Sequence, residues 1–311
     1  MAFGEVPDPH PGPGEVVVDV HACAVNFPDV LMIQNLYQMK PELPFIPGAE
    51  IGGVVTEVGE GVTNVAVGDR VFVSLGSLGG MAEKALLLAA DCVAVPDGVD
   101  LVHAASFMYG HGTSYHALSD RGHLQPGEFL LVLGAAGGVG LAAVELGALM
   151  GARVIAAAST DEKLELCRKH GAELTINYAT EDLKTRIREL TDGHGADVIY
   201  DAVGGPFAEP ALRSIAINGR FLVIGFAAGE IPKIPLNLTL LKECQVVGVY
   251  WGNYVRRCPE LHQNNVDFLM RNLQSGKLSP YVSATFPLER AAEALRQLAD
   301  RKAQGRVVIT P

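Results

Sequence analysis

One stretch constrains this chain more than any other: FLLVLGAAGGVGLAAVELGALMG at 129–151. It opens with an uncharged apolar run of the kind found in strands buried on both faces, which belong to parallel sheets covered by helices. A glycine-rich turn follows, and a helix of small and apolar residues comes directly after it. Mapped on the dinucleotide fingerprint, the turn reads A-x-G-x-x-G, with Ala135 in the first glycine position and Gly134 just before it. The chemistry needs a tight turn at the strand end. It also needs a backbone at Gly137 that approaches a pyrophosphate closely, and a Gly140 that lets helix and strand pack. The helix N-terminus then offers donors to phosphate, which makes Gly134, Ala135, Ala136, Gly137, Gly138, Val139 and Gly140 the candidate loop. The alternative is that these glycines serve helix–sheet packing alone.

The surrounding sequence supports the loop. From 129 to 250 the runs FLLVLG, ARVIAAA, LTINY, DVIYDAVG, GRFLVIGF and CQVVGVY read as strands, separated by helical candidates such as DEKLELCRKHG and EDLKTRIRELTDG. That alternation predicts a doubly wound parallel sheet. Before it, 15–25, 50–73 and 80–95 carry short β-rich pieces broken by glycine turns, and 102–120 reads as a helical bridge. Residues 259–275 and 287–300 read as helices, and GRVVITP closes the chain with a strand that has no helix after it. The expected fold class is α/β: a β-rich domain over 1–105, a Rossmann-type domain over 106–258, and a return to the first domain over 259–311.

The second strand of the Rossmann pattern bears on which dinucleotide binds. It ends in Ala156, Ala157 and Ala158, which offer no carboxylate to a ribose. Ser159 and Thr160 follow as donors for a 2′-phosphate, and Lys163 is within reach as a mobile cation. The same residues also read as a helix N-cap followed by a solvated Asp-Glu-Lys face. NADPH is the expected cofactor, and both readings can hold together.

Composition excludes some classes. Lysine and arginine total 24 against 35 acidic residues, a formal net charge of −11, which argues against nucleic acid or an anionic membrane surface as the main partner. The five cysteines (Cys23, Cys92, Cys167, Cys244 and Cys258) are scattered without a CxxC pair, as expected of reduced thiols. No long apolar span and no secretory leader are evident, so a cytoplasmic protein, or one of another reducing compartment such as the mitochondrial matrix, is expected.

With these motifs read, the chain resembles the zinc-independent quinone oxidoreductases of the medium-chain dehydrogenase/reductase superfamily. The resemblance is carried by CAVNFPDVLMIQNLY at 23–37, PFIPGAEIGGVVTEVGEGV at 44–62, VAVGDRVF at 65–72, GGMAEKA at 79–85, GAAGGVG at 134–140, STDEK at 159–163, INY at 176–178 and GRVVIT at 305–310. It implies a GroES-like β-rich catalytic domain joined to a Rossmann domain, a cofactor in the cleft between them, and a homodimer. VVGVYWGN at 246–253 is apolar enough to be the edge strand that pairs across the two-fold axis. The resemblance also leads to the expectation of a strand and turn ahead of FGEVPDPHPGPGE, the segment inside which this sequence starts. On that expectation either the start codon is misassigned or the form is a shortened one. A sheet edge would then be exposed and part of a substrate-cleft wall missing.

The resemblance assigns further candidates. The segment like NFPDVLMIQNLY lines the nicotinamide end of the cleft, so Asn26 is a candidate donor to the cofactor ribose or the substrate carbonyl. Tyr37 is a candidate hydroxyl donor at the acceptor oxygen. Both also read as structural, Asn26 as turn-forming and Tyr37 as a wall residue, with Asp29 capping the following helix. Tyr178 resembles the tyrosine beside the adenosine phosphate. Gly204, Ile224 and Phe226 fall at carboxyl ends of expected strands, where a doubly wound sheet binds ligands. Phe226 reads equally as core, and Asn253 is a weaker candidate for the nicotinamide amide.

The zinc alcohol dehydrogenases of the superfamily carry a cysteine at the place of Asn26 and Gly-His-Glu where this chain has Gly48-Ala49-Glu50. Their four-cysteine lobe is missing as well, since Val73 runs almost directly into SLGSLGG. Zinc needs about three or four placed ligands, so no metal is expected. His103, His111 and His116 read as bridge packing or a proton donor rather than a metal site.

The expected activity is metal-free transfer of hydride from NADPH to a small conjugated acceptor, first of all a quinone. Reduction of an activated alkene, a 2-enoyl thioester or an α,β-unsaturated ketone, is the close alternative. For a phosphate-rich carrier the adjacent pair Arg256 and Arg257 would serve, or it is simply solvated. A low-turnover NADPH-binding module is the reading from another class.

Overall fold

The structure is a computed structural model and describes residues 1–74 and 78–311. Strands run in chain order as β1 (Glu15–Val25), β2 (Glu50–Val58), β3 (Arg70–Val73), β4 (Lys84–Leu88), β5 (Val93–Ala94), β6 (Phe129–Leu133), β7 (Arg153–Ala158), β8 (Leu174–Asn177), β9 (Ala196–Asp201), β10 (Ile215–Val223), β11 (Gln245–Gly248), β12 (Val282–Pro287) and β13 (Arg306–Thr310). The chain divides into two units, one of residues 1–109 with 279–311 and one of residues 110–278.

The first unit is built on β1. Its consecutive valines Val16, Val17 and Val18 are buried on both faces of the strand, and one edge pairs antiparallel with β2 from Val16 to Ala24. The other edge is shared: β4 pairs with Glu15–Asp19, and β13 takes Cys23–Val25. The sheet runs β12-β13-β1-β2-β3-β5, with β4 off that path. Val16, Val18, Ile51, Val55, Phe286, Val307 and Ile309 fill its core. Gly53 has no room for a side chain, since a Cβ there would lie 2.1 Å from the Asp19 carbonyl.

The second unit holds a six-stranded parallel sheet, β11-β10-β9-β6-β7-β8. Its core of Leu131, Leu133, Ile155, Ile176, Ile199 and Phe221 explains the near-continuous apolar runs, which are covered on both faces. The order reverses between β6 and β9, and at such a switch point the strand ends diverge to leave a crevice.

Two expectations change, and the helical bridge is borne out with more detail. Helix Pro259–Gln274 belongs to the second unit, so the chain returns to the first at Ser279 rather than at 259. It is held there by Phe268 stacked on Tyr115, with centroids 4.5 Å apart, and by Asn265 bound to Asp120. The edge strand expected over 246–253 stops at Gly248, and Trp251–Arg257 is a helix. The bridge over 102–120 is two helices, Leu101–Ala105 and Met108–Tyr115, the second running on into a π-helix over His116–Arg121. Of SLGSLGG, residues 75–77 lie outside the described residues. Among the described residues no helix is long and apolar enough to cross a membrane.

Candidate active site

In the second unit, β6 ends at Leu133 and Gly134 turns the chain with φ +69°. Gly137 then stands at the N-cap of helix Gly138–Leu149, where it has no side chain to cap the helix. Its own N–H donates to Gly134 O and its carbonyl accepts from Leu141. The N–H groups of Gly138, Val139 and Gly140 are left without a protein acceptor among the described residues. Such a bare turn carries partial positive charge and unsatisfied donors. Gly140 allows helix and loop to touch, since a Cβ there would lie 2.2 Å from Gly134 O. Ser114 pins the far side, its hydroxyl donating to Val139 O at 2.8 Å and sharing a 2.9 Å hydrogen bond with the buried Tyr200 hydroxyl.

The other candidates fall on the same edge because every strand of the sheet points the same way. Buried Ala156–Ala158 end β7. Thr160 caps helix Asp161–Lys169 by accepting from Lys163 N at 3.3 Å, so the N-cap reading of that residue describes its geometry. The Ser159 hydroxyl has no hydrogen-bond partner among the described residues. The nearest carboxylate, Asp161, is engaged by Asn177 Nδ2 at 2.8 Å. Tyr178 lies at the end of β8, its N–H on Ala158 O and its ring 4.4 Å from Phe207.

At the end of β9, Asp201 Oδ1 accepts from Val203 and Gly204 N–H. Burial raises the Asp201 pKa, against the pull of those two donors. A Cβ on Gly204 would lie 2.9 Å from Phe226, and Ile224 N donates to Asp201 O. Gly204, Ile224 and Phe226 are thus brought together. Asn253 instead lies exposed on helix Trp251–Arg257, beside Tyr254 and His116.

In the first unit Asn26 is the N-cap of helix Phe27–Ile33. Asp29 reaches back as a capping partner, Oδ2 accepting from Asn26 N at 2.8 Å and Oδ1 from Gly48 N at 3.2 Å. The Asn26 amide is fully occupied as a donor: Nδ2 donates to Glu50 Oε2 at 3.0 Å and to Ala24 O at 3.4 Å, while Oδ1 accepts from Arg306. As a donor to ribose or carbonyl it would have to break this network, so the turn-forming reading describes its geometry. Glu50 is fully buried, paired with Arg306 and accepting from Tyr109 N at 2.7 Å. Tyr109 in turn is hydrogen-bonded to Tyr37, and burial first, then the neighbouring Tyr37 and Asp29, push its hydroxyl well above the usual range. Burial likewise raises Asp29 to about 6, although its two backbone donors oppose the shift.

Glu50 and Arg306 escape a sequence reading because they are 256 residues apart. The signal was an arginine opening the buried run GRVVIT, which demands a partner. This donor set does not suit zinc. The cysteine place holds an amide, Glu50 is neutralised by arginine, and burial drives the Cys23 thiol well above its ordinary pKa. Among the described residues no three His, Cys, Asp or Glu side chains gather to hold a metal.

A β-rich unit and a Rossmann unit with a bare glycine turn fit the two-domain, nucleotide-dependent dehydrogenases and reductases. Residues 12–97 match the family "Alcohol dehydrogenase GroES-like domain" and residues 138–267 match "Zinc-binding dehydrogenase". The chain is 45% identical to a quinone oxidoreductase-like protein 2 homolog of Nematostella vectensis, over 96% of this chain and 82% of that protein. It is 33% identical to a 2-haloacrylate reductase of a Burkholderia species, over 100% of this chain and 95% of that one. The crystal structure of Escherichia coli quinone oxidoreductase complexed with NADPH superposes with a TM-score of 0.93 at 29% identity, covering 99% of this chain and 95% of that one. The chain belongs to the zinc-independent quinone oxidoreductases of the medium-chain dehydrogenase/reductase superfamily.

Proposed function

We propose that the protein is an NADPH-dependent, metal-free oxidoreductase that reduces a quinone. The observation that carries the reading is the edge of the parallel sheet. There a bare helix turn at Gly138–Gly140 stands beside a β7 end that offers alanines and an unpartnered Ser159 hydroxyl in place of a carboxylate. The loop donors suit a pyrophosphate, and Ser159, Thr160 and Lys163 suit a 2′-phosphate. Tyr178 walls the adenosine side, and Gly204, Ile224 and Phe226 line the strand ends toward the nicotinamide. When bound, NADPH supplies the hydride. The remaining task of the protein is to exclude water and to donate to the acceptor oxygen as negative charge develops there.

Tyr37 is the proposed donor, held by its hydrogen bond to Tyr109, whose backbone is fixed by Glu50. Asn26 and Asp29 act by fixing the loop that carries Tyr37. A homodimer and a reducing compartment complete the proposal. The exposed edge of β11 and the five free cysteines support it.

A second reading, reduction of an activated alkene, is favoured by the likeness to a 2-haloacrylate reductase, because both are electron-poor acceptors conjugated to a carbonyl. The test is NADPH oxidation at 340 nm with a small quinone, a 2-enoyl-CoA or an α,β-unsaturated ketone, and NADH as control. Turnover confined to NADPH and quinone supports the proposal. Preference for an alkene moves it to the second reading. Binding without turnover leaves the cofactor-binding module.

A further inference from the structure

The second unit contains an open pocket of about 680 Å³ that the proposed chemistry does not use. It lies beside the π-helix His116–Arg121, and its wall is completed by Gly248 at the end of β11 and by the helices Trp251–Arg257 and Pro259–Gln274. π-Helical turns are rare and concentrate at functional sites, because the wider turn re-aims side chains.

His116 is the centre of this wall. Its side chain is only 6% exposed, and Nδ1 pairs with Asp120 Oδ2 at 2.8 Å. The ring is stacked on Tyr254 with centroids 3.9 Å apart. Asp120 is fixed in turn by Asn265 Nδ2 at 2.8 Å. Burial raises the Asp120 pKa, but hydrogen bonds from His116 and Asn265 outweigh it and hold the group below its usual range. This carboxylate therefore stays charged and orients the imidazole. The Nε2 of His116 has no hydrogen-bond partner among the described residues and is not sealed in protein, so it faces the pocket.

The charge of the wall indicates the ligand. Besides His116 it carries Arg121, His123 and Arg257, and Asp120 is the single carboxylate among the described lining residues. Arg121 uses Nε on Gly248 O at 3.2 Å, whereas Arg257 is exposed and makes no ion pair or hydrogen bond with a described residue. In a chain of net charge −11 this is a local reversal of sign. Arginine forks and an oriented imidazole suit the several oxygens of a phosphate. The pocket is also within the range that takes a small organic molecule, with Tyr250, Leu261 and Asn253 available to a ligand body.

We propose that this pocket binds a phosphate group, taken by Arg257, Arg121 and His116 Nε2, at a site separate from the dinucleotide loop. The inference does not depend on hydride transfer, so the failure of one leaves the other standing. The phosphate could be free or belong to a nucleotide or a nucleotide-linked carrier. The probes are therefore inorganic phosphate, AMP and coenzyme A, each titrated into the full-length protein with the dinucleotide loop saturated by NADPH. The readout is the ring-nitrogen shifts of histidine-labelled protein, with His116 identified by its absence in His116→Gln.

The expected result is that at least one probe moves the His116 signal at millimolar concentration or below. Arg257→Ala should weaken that probe by about tenfold, as loss of a hydrogen bond to a charged group does. Because Arg257 is exposed and unpaired, this variant folds as the parent does. Tighter binding of AMP or coenzyme A than of phosphate supports an organic ester as the source, and equal binding supports free phosphate. The inference is overturned if no probe moves His116, if the response survives Arg257→Ala unchanged, or if raising NADPH displaces the probe.

Discussion

Two glycines of one loop separate ligand approach from packing. A Cβ built on Gly137 meets only Gly134 O, at 3.4 Å. The backbone there, φ −79° and ψ 172°, is one that alanine adopts freely. Alanine is a poorer N-cap than glycine by about 0.5 kcal/mol, but it restricts the unfolded chain by about 0.4–1 kcal/mol. Gly137→Ala should therefore leave stability within about 1 kcal/mol of the parent. Its methyl nonetheless enters the space a pyrophosphate must share to reach the bare helix turn. Losing a charge-assisted hydrogen bond there costs about 1.5–3 kcal/mol, or about 10–150-fold in the Kd for NADPH.

Gly140→Ala should behave differently. Its Cβ would lie 2.2 Å from Gly134 O and 3.0 Å from Ala135 Cα, both backbone atoms. Loop and helix must then part, at about 1–3 kcal/mol of overpacking cost, and stability falls together with binding. Fluorescence titration of NADPH, run beside urea unfolding, reads both quantities. A stable Gly137→Ala that binds NADPH as tightly as the parent would refute the placement of the pyrophosphate at this turn.

Further outcomes follow from other sites. Ser159→Ala should raise the Kd for NADPH about tenfold and leave that for NADH unchanged; equal effects on both would remove Ser159 from the 2′-phosphate site. Glu50→Gln strands the buried Arg306 charge and should cost about 3–5 kcal/mol, so a loss below about 1 kcal/mol in urea would show the pair to be dispensable. Asp29 titrates at about 6 when folded, above its ordinary 3.8, chiefly through burial. The native state therefore holds this proton more tightly, and the contribution of Asp29 to stability falls as pH rises from about 4 to about 6, by up to about 3 kcal/mol. Stability of the parent minus that of Asp29→Asn should decline across this window. A flat difference would place the Asp29 pKa near its ordinary value.

The Rossmann unit was legible because its signals are local. A strand covered on both faces writes itself as an apolar run, and the turn after it shows as glycines within a few residues of one another. The alanines ending β7 and the hydroxyls after them could be read in the same way. The sequence was weaker where chemistry depends on distant residues. The network of Asn26, Glu50 and Arg306 joins three segments, and nothing near Asn26 reveals that its amide is occupied. Short apolar runs were ambiguous for another reason, since VVGVYW fits strand and helix alike. There the strand breaks at Tyr250, with φ −132° and ψ 83°, and a helix begins. The boundary near 278 was hidden because an amphipathic helix does not announce which unit its apolar face will meet.

The shared edge of β1 has a consequence for synthesis. β13, residues 306–310, lies between β12 and β1 in the first sheet. That position stays unfilled while the whole second unit is being translated. At about 5–20 residues per second, the roughly 200 residues between β5 and β13 occupy the ribosome for on the order of ten seconds or more. During that interval part of an edge of β1, with its buried cysteine and valines, has no partner strand. The Rossmann sheet, contiguous in the chain, can close first. The half of the protein that is made first is therefore the half that finishes last, and a nascent chain stalled ahead of Arg306 would carry a completed nucleotide unit beside an open sheet.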